Sequence, residues 1–188
     1  MPALLDEKIV ALTHALDAAH LPHAFGGALA LSYFATPRAT QDIDVNVFVA
    51  SEEAERVLAA LGALGVQPPS AEQRQELRER GQGRCFWEHV PIDLFFSYDP
   101  FHASCRERLL RVPFGDGIVI PILSAEDLAI FKVLFDREKD WRDLRELLFA
   151  LGPDFDASYA LDWLRRILEP KDGRLARFEA MLRAEEGA

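Results

Sequence analysis

The stretch from Phe25 to Phe48 restricts this chain more than any other. Within it Asp42, Asp44 and Asn46 alternate with Ile43, Val45 and Val47. On a strand of period two, both carboxylates therefore leave one face while the aliphatics enter a core. Two adjacent carboxylates repel unless a cation lies between them, and a hard, oxygen-only pair suits magnesium, which keeps waters and substrate phosphates in its shell. Upstream, Gly26 and Gly27 close a turn where backbone approaches something bulky, and Ala28 to Phe34 reads as a short apolar helix whose free N–H groups face that turn. An anion site of phosphate size beside a metal-binding strand is a place for a nucleoside triphosphate.

The rest of the chain reads as scaffold around that stretch. Leu5, Ile9, Leu12 and Leu16 share one face of an opening helix ending near Ala19. His23 to Phe25 forms a short strand, and Gln41 to Val49 is the carboxylate strand. Ser51 is expected to cap a helix running to about Leu61. Residues 68–84 are polar and arginine-rich, and read as a flexible or partly helical excursion. Cys85 to His89 and Val90 to Ser97 follow as two strands of a hairpin, or one strand bent at Pro91. On the second, Ile92, Leu94 and Phe96 face one way and Asp93 the other. A carboxylate inside such a strand needs solvent, a donor or a charged site, and Asp93 is read as the third member of the cage begun by Asp42 and Asp44. An irregular stretch with Arg106, Arg108 and Arg111 precedes a Gly115-Asp116-Gly117 turn and a strand from Ile118 to Ile122. Ser124 and Asp127 then resemble a capping box opening a helix through Leu134. Lys132 on that helix either snorkels to water or aims at a triphosphate. Further helices are expected from Arg137, from Ser158 to Leu168 and from Asp172 to Arg183.

The fold class expected is α+β. A small mixed sheet flanked by helices occupies residues 1–122, and a helical C-terminal portion, 123–188, packs on it as one unit. With 49% hydrophobic residues the chain can bury a core, while a net charge of -10 argues against a surface that coats duplex nucleic acid indiscriminately. Cys85 and Cys105 lie at no metal spacing, which fits a reducing compartment. With no basic-then-apolar leader and no apolar run near the roughly 18 residues of a membrane span, the expectation is a soluble cytoplasmic protein without a membrane partner.

Gly26-Gly27, then Asp42-Ile43-Asp44, then Asp93 in a later strand resembles the signature of the nucleotidyltransferase superfamily to which DNA polymerase beta belongs. The run from Leu123 to Lys132, followed by Arg137-Glu138-Lys139-Asp140 and Asp143-Leu144, is similar to the toxin-type AbiEii/AbiGii-like branch. Many members carry Gly-Ser at the turn, and Gly27 stands where that serine would be. The resemblance implies Gly26 and Gly27 at the triphosphate, and Mg2+ or Mn2+ held by Asp42, Asp44 and Asp93. It further implies Lys132 on the phosphates, with Asp127 and Arg137 as positioning residues. The implied enzyme moves a nucleoside monophosphate from a nucleoside triphosphate to a hydroxyl, with RNA or tRNA the first acceptor, then protein side chains (AMPylation), then aminoglycosides. Arginines at 74–84 and 106–111 favour RNA if they form a phosphate-tracking groove. An antitoxin protein is a partner implied by the toxin-type branch. The rival readings are a member that binds nucleotide or partner without chemistry, and a phosphohydrolase.

Overall fold

The computed structural model describes residues 4–115 and 117–186, so the Asp116 position of the expected glycine turn lies outside the described residues. The chain forms two compact units, the first comprising Met1–Leu29 and Ala39–Leu123, the second Ala30–Arg38 and Ser124–Ala188.

The first unit carries a six-stranded mixed sheet. Its strands are β1 (His23–Phe25), β2 (Ile43–Ala50), β3 (Gln82–Trp87), β4 (Val90–Ser97), β5 (Leu110–Pro113) and β6 (Val119–Ile122), in the order β3-β4-β2-β1-β6-β5. β2 and β4 run parallel at the centre, while β1 pairs antiparallel with β2 and parallel with β6. Alternation sorts the side chains as expected: Ile43, Val45, Val47, Ile92, Leu94 and Phe96 are buried, and Asp93 lies on the opposite side of its strand from its apolar neighbours. Helix α1 (Leu5–Ala18) buries Ile9, Leu12 and Leu16, and packs against α3 (Ala54–Gly62).

Several local expectations change. Residues 71–80 form a regular helix, α4 (Ala71–Arg80), because Ser70 accepts from the Gln73 amide and the Gln73 side chain accepts from the Ser70 amide, while Gly81 ends it in the left-handed region. Its polar composition hides it, since only Leu77 is buried. The stretch expected to be irregular contains α5 (Pro100–Arg108), started by Asp99 accepting from Phe101 N–H and by Pro100 in the first turn. Ser51 does not cap α3; its hydroxyl donates to the Arg78 carbonyl, and a 3-10 turn over Ser51–Glu53 precedes the helix. The glycine-turn helix α2 is short, Gly27–Leu31, and the boundary between the units falls inside it.

The second unit is helical: α6 (Ala125–Phe135), α7 (Glu138–Leu151), α8 (Ala157–Ile167) and α9 (Gly173–Glu186). α6 contacts each of the other three. Trp141, Leu144, Leu147, Ala160, Leu164 and Phe178 form its dry interior, all at 1% exposure or less. Ser124 caps α6 as expected, accepting from the Asp127 amide. The segment Ala30–Arg38, which in sequence separates the glycine turn from the carboxylate strand, belongs to this unit.

Candidate active site

β2 and β4 place Asp44 and Asp93 opposite one another in parallel register. In-register residues of adjacent strands share a face, so the two carboxylates emerge side by side. Asp42 lies just ahead of β2, two residues before Asp44, and its carboxylate accepts from the Thr40 hydroxyl. Over the start of this face lies the glycine turn, where Gly26 N–H donates to the Asp44 carbonyl at 2.9 Å. That amide therefore fastens the turn to β2. Gly27 has φ +55°, and a Cβ there would lie 1.7 Å from Asp44 Oδ2. The absence of a side chain at Gly27 is what lets the turn lie directly on the Asp44 carboxylate.

Arg84 completes the arrangement and was not singled out in the sequence for this site. On the edge strand β3 it is the register partner of Asp93, and its guanidinium forks onto that carboxylate, Nε to Oδ1 at 2.6 Å and Nη2 to Oδ2 at 2.7 Å. The hydrogen bonds it donates to Asp93 strengthen the guanidinium's hold on its proton, burial opposes this, and the charges of Asp93, Asp42 and Asp44 add to the strengthening. Arg84 thus lies in the field of all three acids. Its signal in the sequence was position: nine residues before Asp93, across a two-residue turn at Glu88-His89, in a hairpin whose register pairs the two.

Asn46 continues the same row on β2. It is 3% exposed, and its Oδ1 is buried without a hydrogen-bond partner among the described residues. A Cβ on Gly26 would meet its Nδ2 at 3.0 Å, so the amide lies directly behind the turn. An acceptor left this way costs about 1–3 kcal/mol unless a group from outside the chain satisfies it.

Residues 4–161 match the model of a protein family described as "Nucleotidyltransferase of unknown function (DUF6036)". The chain belongs to this nucleotidyltransferase family. The crystal structure of ANT(2″)-Ia in complex with adenylyl-2″-tobramycin is similar to the nucleotidyltransferase over 97% of each chain, with a TM-score of 0.57 and 16% identity. A solution structure of the antibiotic-resistance factor ANT(2″)-Ia is similar over 98% of this chain and 100% of that one, with a TM-score of 0.53 and 17% identity. At such identities the likeness establishes the fold alone, and the fold is the expected α+β arrangement of a mixed sheet flanked by helices. No curated protein sequence matches the nucleotidyltransferase significantly. No helix among its described residues is long and apolar enough to cross a membrane.

The remaining residues singled out in the sequence lie in the helical unit, and the structure engages them there. Lys132 does not snorkel to water: it is 3% exposed, and its ammonium donates to Asp143 at 2.6 Å with Asp140 at 3.9 Å. Arg38 forks onto the same Asp143, at 3.1 and 3.0 Å. Burial pushes the Asp143 carboxyl up, but the hydrogen bonds from Arg38 and Lys132 outweigh it and hold the group below the usual carboxylate range. Asp127 is fully buried and accepts from the Tyr159 hydroxyl at 2.7 Å, so its side chain does not close the capping box expected of it. Arg137 forks onto Asp140, at 2.6 and 3.2 Å. These contacts make Lys132, Asp140 and Asp143 a buried charged cluster, and hold Asp127 against Tyr159, within the helical unit of the nucleotidyltransferase.

Among the described residues, no group of three or more His, Cys, Asp or Glu side chains is arranged to hold a metal ion. At the carboxylate face both Asp93 oxygens are taken by Arg84. By donor type the set still suits a hard divalent ion: oxygen only, anionic, on one face of two adjacent strands.

Proposed function

We propose that this nucleotidyltransferase moves a nucleoside monophosphate from a nucleoside triphosphate to an acceptor hydroxyl, at the face formed by Asp42, Asp44 and Asp93. The observation that carries the reading is the parallel register of Asp44 and Asp93 beneath the glycine turn. Asp42, Asp44 and Asp93 would hold magnesium or manganese, whose chemistry is to polarise the phosphoryl oxygens and stabilise charge on the entering and leaving groups. The chain's own residues have simpler tasks. Asp93, released from Arg84, takes up the proton of the acceptor hydroxyl as its oxygen bonds to the α-phosphorus. The bond from the α-phosphorus to the bridging oxygen breaks, and pyrophosphate leaves with that electron pair. Gly27, having no side chain, lets the turn lie against the Asp44 carboxylate, where the triphosphate would be received. The Gly26 amide is bound to the Asp44 carbonyl, so its part is to hold the turn in place. Lys132, which donates to Asp143, and Asp127, which accepts from the Tyr159 hydroxyl, are assigned to the stability of their own unit and not to phosphate contact.

Of the arginines that favoured RNA, those at 74–84 are engaged in ion pairs. Arg74 and Arg78 pair with Glu55, Arg80 with Glu76 and Arg84 with Asp93. A chain of net charge -10 with these cations neutralised favours an uncharged or cationic small hydroxyl compound over a polyanion. The fold neighbour bound to adenylyl-2″-tobramycin is consistent with an acceptor of that class. Kinship with the toxin-type branch, and with it an antitoxin partner, rests on the 123–144 run alone.

The test incubates the protein with magnesium, each of four labelled triphosphates, and, separately, aminoglycosides, whole-cell RNA and whole-cell protein. Transfer of label by the wild type, with its near loss in Asp42→Asn and Asp44→Asn proteins that melt normally, is the expected result. If Asp44→Asn labels its acceptor at the wild-type rate, the mechanism is wrong. Triphosphate binding without turnover would favour the non-catalytic reading, and labelled RNA would return the acceptor to the nucleic-acid class.

A further inference from the structure

The Arg84 fork has the geometry of a cation already in the place a divalent ion would claim. Both oxygens of Asp93 are occupied by it, at 2.6 and 2.7 Å, and neither Arg84 nor Asp93 makes another side-chain hydrogen bond among the described residues. The pair is asymmetric in exposure: the Arg84 side chain is 51% exposed, and that of Asp93 19%. β3 is an edge strand, so the long arginine stem can leave the carboxylate without disturbing packed neighbours, whereas Asp93 on the interior strand β4 cannot move to it. Asp44 and Asp93 side by side repel, with the charge of Asp42 adding to the field at Arg84, and a resident guanidinium relieves part of that repulsion when no other cation is bound.

We infer that Arg84 is the counter-cation of this site in the metal-free protein, and that Asp93 becomes available to a divalent ion only when the Arg84 fork opens. The inference rests on the carboxylate-site reading above. Arg84 is then a positioning residue acting through Asp93: it competes with the metal, and so sets the cation concentration at which the third carboxylate joins the site.

The experiment titrates Mn2+ into nucleotide-free protein by calorimetry or electron paramagnetic resonance, comparing wild type with Arg84→Gln, Arg84→Lys, Asp44→Asn and the Arg84→Gln/Asp93→Asn double variant. Arg84→Gln is expected to bind Mn2+ roughly fivefold more tightly, the factor an ion pair of this exposure imposes on a competitor. The gain should disappear in the double variant. Unchanged or weaker Mn2+ binding by Arg84→Gln overturns the inference. Should that variant fail to fold, Arg84→Lys carries the comparison, because it keeps the charge and cannot fork: tighter binding supports the inference and unchanged binding overturns it. Asp44→Asn separates the two levels of argument. If it weakens Mn2+ binding while Arg84→Gln has no effect, only the role of Arg84 falls; if it leaves Mn2+ binding untouched, the carboxylate site falls and the inference with it.

Discussion

Replacing Gly27 by alanine, or by the serine that many members of the superfamily carry at this turn, puts an atom where the Asp44 carboxylate already is. The added Cβ would lie 1.7 Å from Oδ2 and 2.6 Å from Cγ, while ordinary contact begins at 3.4 Å, so the carboxylate oxygen must retreat by about 1.7 Å. The backbone adds a second cost, because φ is +55° and a residue with a Cβ is disfavoured there by about 1–2 kcal/mol. An aspartate can reach the required displacement by changing rotamer, so the fold should survive. For a domain of this size the loss corresponds to a melting temperature lowered by about 2–8 °C. Function should suffer far more than stability, since a carboxylate about 1 Å out of place typically costs on the order of a hundredfold in rate. Thermal melting together with Mn2+ titration and the labelled-triphosphate assay measures both effects on one preparation. A Gly27→Ser protein with wild-type melting, wild-type Mn2+ affinity and undiminished transfer would refute the claim that the turn is pressed onto Asp44, and no gain of activity from the new hydroxyl is expected.

Lys132→Met should destabilise the helical unit by about 3 kcal/mol, because it strips a buried partner from Asp143, with no selective loss of triphosphate binding in protein that remains folded. Chemical denaturation and nucleotide titration check the two halves; a stable Lys132→Met protein that has lost triphosphate affinity would return the lysine to the phosphates. The Asp143 carboxyl is held below its ordinary value of 3.8, so the stability it contributes is complete above that pH and is lost as pH falls through the lowered folded value. Wild type should therefore show a loss of stability below about pH 4 that is diminished in Asp143→Asn, read from denaturant midpoints across the acid range. Burial pushes the Cys85 thiol up to about 11, and Cys105 is fully buried, so neither should react with a thiol-specific disulfide reagent at neutral pH until the protein is unfolded.

The carboxylate strand was legible because its information is local: the alternation over residues 42–47 states both which face is polar and that the element is a strand. The same holds for Asp93, whose apolar neighbours Ile92 and Leu94 left it no other face. Helix α4 was not legible by periodicity, because its surface is polar nearly all round, yet Ser70 and Gln73 spelled its start. α5 was announced by Asp99-Pro100 in the same way. Lys132 shows the opposite failure. A lone lysine in an apolar run has its partner settled by residues distant in sequence, here Asp143 eleven positions on and Arg38 on the far side of the carboxylate strand.

What the chain by itself determined is the kind of chemistry available: which residues are acidic, which face of a strand they leave, and where the backbone must turn without a side chain. Those are properties of covalent geometry and of periodicities spanning a few residues. Only the tertiary structure decided which acid stands beside which, that Gly27 lies on Asp44, that Arg84 pairs with Asp93 and that Lys132 pairs with Asp143. The reason is that strand register and charge pairing are fixed by contacts between segments far apart in the chain, where one residue of slip sends a side chain to the opposite face.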